Sequence, residues 1–324
     1  MKSVLCENFG PPENLNVKEL EDLEPGPNQV RIDIEACGVN FPDTLIIEDK
    51  YQFKPPLPFS PGGEVAGVID KIGSNVKGVK LGDKVMAMTL SGGFSEQILV
   101  DASGLLYRPE GMDGVTASGF TMTYGTSMHA LKQRADLKRG ETLLVLGAGG
   151  GVGLAAVEIG KAMGAKVIAA ASSKKKLNAA SEAGADHLIN YKEQNLREEI
   201  KAIVGKKGVD VVYDPVGGEV FEQALRSTAW RGRALVVGFA SGEIPKISIN
   251  LALLKGCAIV GVFWGAFRMN ETKLDNENFE QLFKWYGEGK LKPMISETFR
   301  LEEAPIALRR IMDREAVGKI VLRI

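Results

Sequence analysis

Residues 142–153 read Thr-Leu-Leu-Val-Leu-Gly-Ala-Gly-Gly-Gly-Val-Gly. An uncharged apolar run gives way to Gly147, Gly149, Gly150 and Gly151, with Gly153 two residues further on. Such a run is a buried parallel strand that feeds a tight turn. The next stretch is helical: Val152, Ala155, Ala156, Ile159, Ala162 and Met163 recur at helical spacing on one face, and Glu158 and Lys161 fall on the other. Strand, glycine turn and amphipathic helix together open a βαβ unit of the dinucleotide-binding kind. Glycine lets the backbone approach a pyrophosphate, and the helix N-terminus offers unpaired N–H groups and a favourable dipole. Ala148, Gly150 and Gly153 hold the Gly-x-Gly-x-x-Gly register, so its first glycine is missing. A glycine-rich turn without a ligand therefore stays as the alternative.

Downstream of the turn the rhythm is alternating strand and helix. The pattern predicts strand 166–171, helix 174–182, strand 188–190, helix 195–204, strand 209–213, helix 219–226, and strands 234–237 and 258–263. This is a doubly wound α/β sheet spanning about 124–264. Upstream, Val30, Ile32, Ile34 and Ala36 alternate with Arg31, Asp33 and Glu35, which marks a half-buried strand. Further short strands are expected at 2–7, 16–20, 64–72, 84–88 and 95–100, as in a compact barrel or sandwich. Lys54-Pro-Pro-Leu-Pro-Phe-Ser-Pro61 is too rich in proline for a strand or helix interior and reads as a surface loop. The last sixty residues carry helices at 277–286 and 304–313 and a closing strand at 319–323. No linker precedes them, so 265–324 is expected to complete the first domain, residues 1–123.

The chain has 324 residues, enough for two domains with their own cores. Its net charge of −1 provides no basic field for nucleic acid or an anionic membrane. No apolar run reaches membrane-spanning length, and the first residues lack the apolar stretch of a signal peptide. The three cysteines, Cys6, Cys37 and Cys257, are far apart in sequence and read as reduced thiols in a cytoplasmic protein. With only His129 and His187, and no Cys-x-x-Cys or His-x-x-His spacing, no metal site is expected.

An NAD site places an acid after the second strand of this unit, where it accepts from the ribose 2′-hydroxyl. Here residues 159–181 contain no acid, and the strand ends Ala171-Ser172-Ser173 before Lys174, Lys175 and Lys176. Hydroxyls and ammonium groups bind a 2′-phosphate that an acid would repel. Two such contacts contribute roughly 1 kcal/mol each if exposed, or about 1.5–3 kcal/mol each if shielded. The resulting preference for NADPH over NADH is about tens-fold to thousands-fold. The other reading of the lysines is a solvated first helical turn, although lysines there oppose the helix dipole.

Gly38-Val39-Asn40-Phe41-Pro42-Asp43, Pro61-Gly62-Gly63-Glu64-Val65-Ala66-Gly67, Gly82-Asp83-Lys84-Val85, Thr123-Tyr124-Gly125-Thr126, the glycine turn and Val317-Gly318-Lys319-Ile320-Val321 follow one another in a recognisable order. In this order the chain resembles the medium-chain dehydrogenase/reductase superfamily over its whole length. Within it the chain is similar to the zinc-free, zeta-crystallin-like quinone oxidoreductases. The resemblance implies a GroES-like, mostly-β catalytic domain wrapped around a Rossmann domain, with the active site in the cleft between them, and a homodimer. Where the zinc alcohol dehydrogenases carry metal-binding Cys and His, this chain has Asn40 and Gly63. Ser118 lies near the third ligand position, and the four-cysteine structural lobe after Val100 is absent. Without a Lewis acid, alcohol oxidation loses its main electrostatic support. Hydride addition to a quinone, or to an alkene conjugated to a carbonyl, needs only orientation and donors for the developing oxyanion.

By the same resemblance Asn40, Asp43 and Tyr51 line the catalytic side. Asn40 is open to two readings, a donor to an oxygen of substrate or cofactor and a satisfied turn asparagine. Tyr51 has two as well, a phenol facing the nicotinamide and a ring packed on the proline loop. Thr126 is placed at the carboxamide, Gly150, Gly151, Val152 and Gly153 at the pyrophosphate, and Lys176, Tyr191 and Arg314 at the 2′-phosphate, with Ser172 and Ser173 adjacent. Gly238, Phe239, Ala240, Ser241, Val262, Phe263 and Trp264 end late strands, at the edge where ligands lie in this fold. Glu64 reads as structural, and His129 as a packed histidine. The expected activity is NADPH-dependent reduction of quinones or α,β-unsaturated carbonyl compounds. The alternatives are an enoyl-CoA (acryloyl-CoA-type) reductase and a non-catalytic NADPH-binding protein.

Overall fold

A computed structural model describes all 324 residues. The chain forms two compact units, Met1–Met122 with Pro293–Ile324, and Thr123–Lys292. This boundary differs from the expected one: residues 265–292 belong with the parallel sheet. The reason is in the side chains. Trp264 lies over Gly125, where an added Cβ would come within 2.6 Å of the indole, and Phe279 stands beside both. Helices Trp264–Asn270 and Thr272–Gly287 thus bury their aromatic face on the Tyr124–Met128 turn of helix rather than on the β-rich unit.

The first unit is built on the long strand Gln29–Val39, whose inward residues are fully buried. The strand is antiparallel to Glu64–Ile72 along its length. Its other edge is divided between Gln97–Asp101 near the start and Lys319–Arg323 near the end. Ile295–Arg300, Lys84–Met88 and Leu105–Tyr107 complete a seven-stranded sheet, and Lys2–Leu5 pairs with Asn16–Glu19 beside it. Ile295–Arg300 was not expected. Its half-buried positions include Glu297, whose carboxylate faces Arg310 at 3.6 Å, so apolar alternation does not betray it.

The second unit is a six-stranded parallel sheet in the order His187–Asn190, Lys166–Ala171, Thr142–Leu146, Val209–Asp214, Thr228–Val236, Ala258–Gly261. The order reverses between Thr142–Leu146 and its two neighbours, which is the switch point at which doubly wound sheets bind ligands. Leu143, Leu144, Val145 and Leu146 are fully buried, as expected of a central parallel strand. Thr228–Val236 begins six residues before the strand predicted there. The register shifts past Val209, and Arg231 takes a left-handed φ of +60°, so the polar Trp-Arg-Gly-Arg stretch bulges without leaving the sheet. No helix is long and apolar enough to cross a membrane.

Candidate functional site

In the second unit the glycine turn has the shape that its sequence predicts. Gly147 takes φ +59°, the chain reverses, and helix Gly151–Ala162 starts on Gly150 without a side-chain cap. The N–H groups of its first turn, Gly151, Val152 and Gly153, thus receive no side-chain cap. A Cβ on Gly153 would sit 2.2 Å from the Gly147 carbonyl oxygen, so this glycine serves the contact between helix and turn. Gly149 is covered by Lys176, whose Cβ stands 2.4 Å from where a side chain would begin. Ser173 caps helix Lys174–Glu182, its hydroxyl accepting from Lys176 N–H. Ser172 and Tyr191 are half-buried at the ends of the two neighbouring strands. The structure thus brings Lys176 against Gly149 beside the N-terminus of helix Gly151–Ala162, while Ser172 and Ser173 link the end of strand Lys166–Ala171 to helix Lys174–Glu182.

Gly238–Ser241 follow Thr228–Val236 and are pinned to the adjacent turn, Ala240 N–H donating to Pro215 O at 3.0 Å and Ser241 N–H to Val216 O at 2.9 Å. That turn is shaped by Asp214, a buried carboxylate that accepts from Val216 N–H at 2.7 Å and Gly217 N–H at 3.1 Å. Burial pushes Asp214 up to about 6. Val237, Phe239, Val262 and Phe263 line an open depression of about 560 Å³ together with His129 and Phe267. His129 stacks on Phe267 with ring centroids 4.0 Å apart, and burial lowers it to about 4, so the imidazole is neutral. Trp264 is turned inward, its indole N–H donating to Asp275 at 2.8 Å. Thr126 is half-buried on helix Thr121–Met128. Arg314 lies in the other unit, exposed at φ +58° after helix Ala304–Met312.

In the first unit Asn40 follows the long strand and stands at the N-cap of helix Phe41–Ile46; its side chain makes no capping bond, and Asp43 N–H donates instead to the Asn40 backbone carbonyl at 3.0 Å. Asn40 N–H donates to Asp43 Oδ2 at 2.7 Å. The Asn40 amide is engaged on every side: Nδ2 donates to Gly38 O at 3.2 Å and Glu64 Oε2 at 3.0 Å, and Oδ1 accepts from Lys319. Asp43 is 3% exposed, and burial pushes its carboxyl up to about 7 against the pull of the Asn40 and Gly62 N–H groups and of Lys319. Tyr51 packs against the core of this unit; burial, then the neighbouring Asp43, raises its phenol above the usual value. Sequence reasoning passed over Lys319, a lysine buried at the start of a strand. The only signal for it was its place directly after Gly318 in an otherwise apolar run.

The family described as "Alcohol dehydrogenase GroES-like domain" matches residues 26–124, and "Zinc-binding dehydrogenase" matches residues 151–285. The "Quinone oxidoreductase-like protein 2 homolog" of Nematostella vectensis is 38% identical over 325 residues, covering 99% of this chain and 88% of that protein. The chain belongs to the quinone oxidoreductase family. Escherichia coli quinone oxidoreductase, solved in complex with NADPH, superposes with a TM-score of 0.93 at 29% identity and covers 100% of both chains. The quinone oxidoreductase of Thermus thermophilus, solved alone and with NADPH, is 33% identical with a TM-score of 0.86 and the same full coverage. The β-rich unit thus has the GroES-like fold, and the parallel sheet the Rossmann fold of this oxidoreductase family, as the sequence led us to expect. Within the matched residues 151–285 the chain has one histidine, His187, and one cysteine, Cys257.

Proposed function

We propose that this oxidoreductase binds NADPH and reduces quinones or α,β-unsaturated carbonyl compounds without a metal. The observation that carries the reading is the placement of Asp43, a carboxyl only 3% exposed in the first turn of helix Phe41–Ile46 and beside the Tyr51 phenol, where burial pushes it up to about 7. When bound, NADPH supplies a hydride to the electron-poor carbon of the acceptor. The acceptor oxygen then needs a proton. Asp43 gives it up through the neighbouring Tyr51 phenol and is recharged from solvent. Asn40 acts through its backbone and its fixed amide, since both Nδ2 hydrogens are spent inside the protein.

Two features support NADPH as the cofactor. The glycine cradle under Lys176 fits a pyrophosphate, and Ser172, Ser173, Lys174 and Lys175 stand where an acid would select NADH. Metal independence is supported by the residues themselves. No group of three or more His, Cys, Asp and Glu is arranged to hold an ion. A side chain at Gly63 would meet the Thr89 carbonyl oxygen at 2.9 Å. Ser118 donates its hydroxyl to Val115 O.

A homodimer is part of the proposal. Ala258–Gly261 is an edge strand with one side unpaired, and Leu253 and Leu254 just before it are 77% and 70% exposed. Antiparallel pairing of two such edges across a two-fold axis joins the sheets and covers these residues.

The test is kcat/KM measured across quinones, enones and enoyl-CoA esters with both reduced nicotinamides, beside metal analysis of the purified protein. Turnover of quinones or enones with NADPH preferred at least tens-fold is expected. Stoichiometric zinc, equal use of NADH, or cofactor binding without turnover of any acceptor overturns it.

A further inference from the structure

Lys319 and Glu64 form an ion pair at 2.8 Å with side chains 6% and 0% exposed. Taking two charges out of water costs several kcal/mol per ion, and a well-packed apolar pair often serves stability equally well. The pair is the core of a closed ring. Lys319 Nζ donates to Glu64 Oε2 and to Asn40 Oδ1, and Asn40 Nδ2 donates to the same Glu64 oxygen. The remaining Glu64 oxygen accepts from Met122 N–H at 2.8 Å. The three residues come from three adjacent strands of the sheet: Lys319 opens Lys319–Arg323, Asn40 follows Gln29–Val39, and Glu64 opens Glu64–Ile72. The lysine stem reaches the ring between two glycines. A Cβ on Gly38 would come within 2.9 Å of Lys319 Cε, and one on Gly119 within 2.8 Å of its Cγ.

We propose that Lys319 and Glu64 are positioning residues of the reduction, which hold the Asn40–Asp43 turn in its working geometry and bias the charge of Asp43 from opposite sides without touching the acceptor. The inference rests on the reading of Asp43 as the proton source. The charged or titratable groups that act on Asp43 are Lys319, which favours its ionised form, and Glu64, which disfavours it. Its other titratable neighbours are the Cys37 thiol, pushed well up by burial, and the Tyr51 phenol, pushed up by burial and by Asp43. Both stay neutral in the range that matters. The two members of the pair therefore have opposite electrical effects at one carboxyl, although they share one structural role. A purely structural ring has no such signature.

The experiment compares kcat against pH for the wild type, Lys319→Met, Lys319→Arg, Glu64→Gln and Asp43→Asn, with NADPH affinity from fluorescence as a check on the second unit. In the wild type, kcat falls as pH rises through about 7, where Asp43 loses its proton. Lys319→Met is expected to lower kcat about 100-fold, the cost of a misplaced reacting group. It should also move the falling limb up by about one pH unit. Glu64→Gln moves the limb down, Lys319→Arg returns kcat to within several-fold of wild type, and NADPH affinity stays unchanged throughout. If Lys319→Met does not fold, Glu64→Gln and Lys319→Arg still give the sign. A limb that both charge-removing variants leave in place, or move in the same direction, overturns the role of the pair. A limb that persists in Asp43→Asn overturns the reading of Asp43 itself, and the proposal with it.

Discussion

Asp43 has a property that is measurable apart from catalysis. Its folded value, about 7, lies above the 3.8 of an unperturbed aspartate. The folded state therefore holds a proton that the unfolded chain has lost between these values, and stability falls as pH rises from about 4 to about 7. The span corresponds to on the order of 4 kcal/mol, or about 10 °C in Tm for a unit of this size. Asp43→Asn is expected to remove this slope, so that its Tm gains on the wild type progressively toward pH 8. Thermal unfolding at four or five pH values checks it, and parallel curves for the two proteins refute it. His129 works with the opposite sign. Its folded value of about 4 lies below the unfolded 6.5, so the unfolded state binds the extra proton and stability is lost as pH falls through that window. His129→Gln should flatten the acid side of the same curve by on the order of 3 kcal/mol, and an unchanged acid side refutes this.

The strand, turn and helix at 142–162 let two glycines be separated by experiment. Gly153 and Gly150 both belong to the sequence motif, yet they differ in surroundings. A Cβ on Gly153 meets backbone at 2.2 and 2.8 Å, whereas one on Gly150 meets only the Gly147 oxygen, at 3.6 Å, with φ at an ordinary −88°. Gly153→Ala must open the packing of helix on turn, and is expected to lower Tm and NADPH affinity together, at about 1–3 kcal/mol of stability. Gly150→Ala should leave Tm within a degree or two and weaken NADPH alone, because its methyl group points into the space left to the pyrophosphate. Calorimetry and a fluorescence titration on the two variants decide it. Equal effects of the two substitutions on stability, or none on affinity, refute the assignment. These elements were legible because their signals are local: 166–171, 174–182, 219–226, 64–72, 84–88 and 319–323 form with the ends that periodicity and capping predict. The Lys319–Glu64–Asn40 ring was not. Its members are 24 and 255 positions apart and meet only because Lys319–Arg323 and Glu64–Ile72 pair with the same strand, a neighbour relation that no local pattern encodes. For the same reason the sequence pattern places 265–292 in the wrong unit, since the Trp264–Gly125–Phe279 contact that fixes it spans distant residues.

At the scale of the whole molecule, large apolar side chains flank the last strand of the second unit: Leu253 and Leu254 on the helix before it, Ile259 on it and Phe263 after it are all exposed, and Trp230 packs its ring over Gly256 while remaining 73% exposed. Apolar side chains gathered beside an unpaired strand are an aggregation hazard unless covered. Two copies that pair Ala258–Gly261 edge to edge cover them symmetrically, because the same residues lie on both sides of a two-fold axis. The expected species in solution is thus a dimer. Two substitutions act on it by different routes. Val260→Pro removes a ladder N–H and breaks pairing on both sides of the strand, whereas Ile259→Lys leaves the backbone intact and places two like charges across the axis. Ile259→Lys is the cleaner test: light scattering should give half the wild-type mass, with the Tm of the second unit lower and now independent of protein concentration. A wild-type protein that is already monomeric at micromolar concentration refutes the dimer, and an Ile259→Lys variant that stays dimeric places the association elsewhere. The turn at Gly147–Gly153 lies in the middle of the sheet and this edge at its end, so a monomeric variant that keeps its NADPH affinity would separate cofactor binding from association.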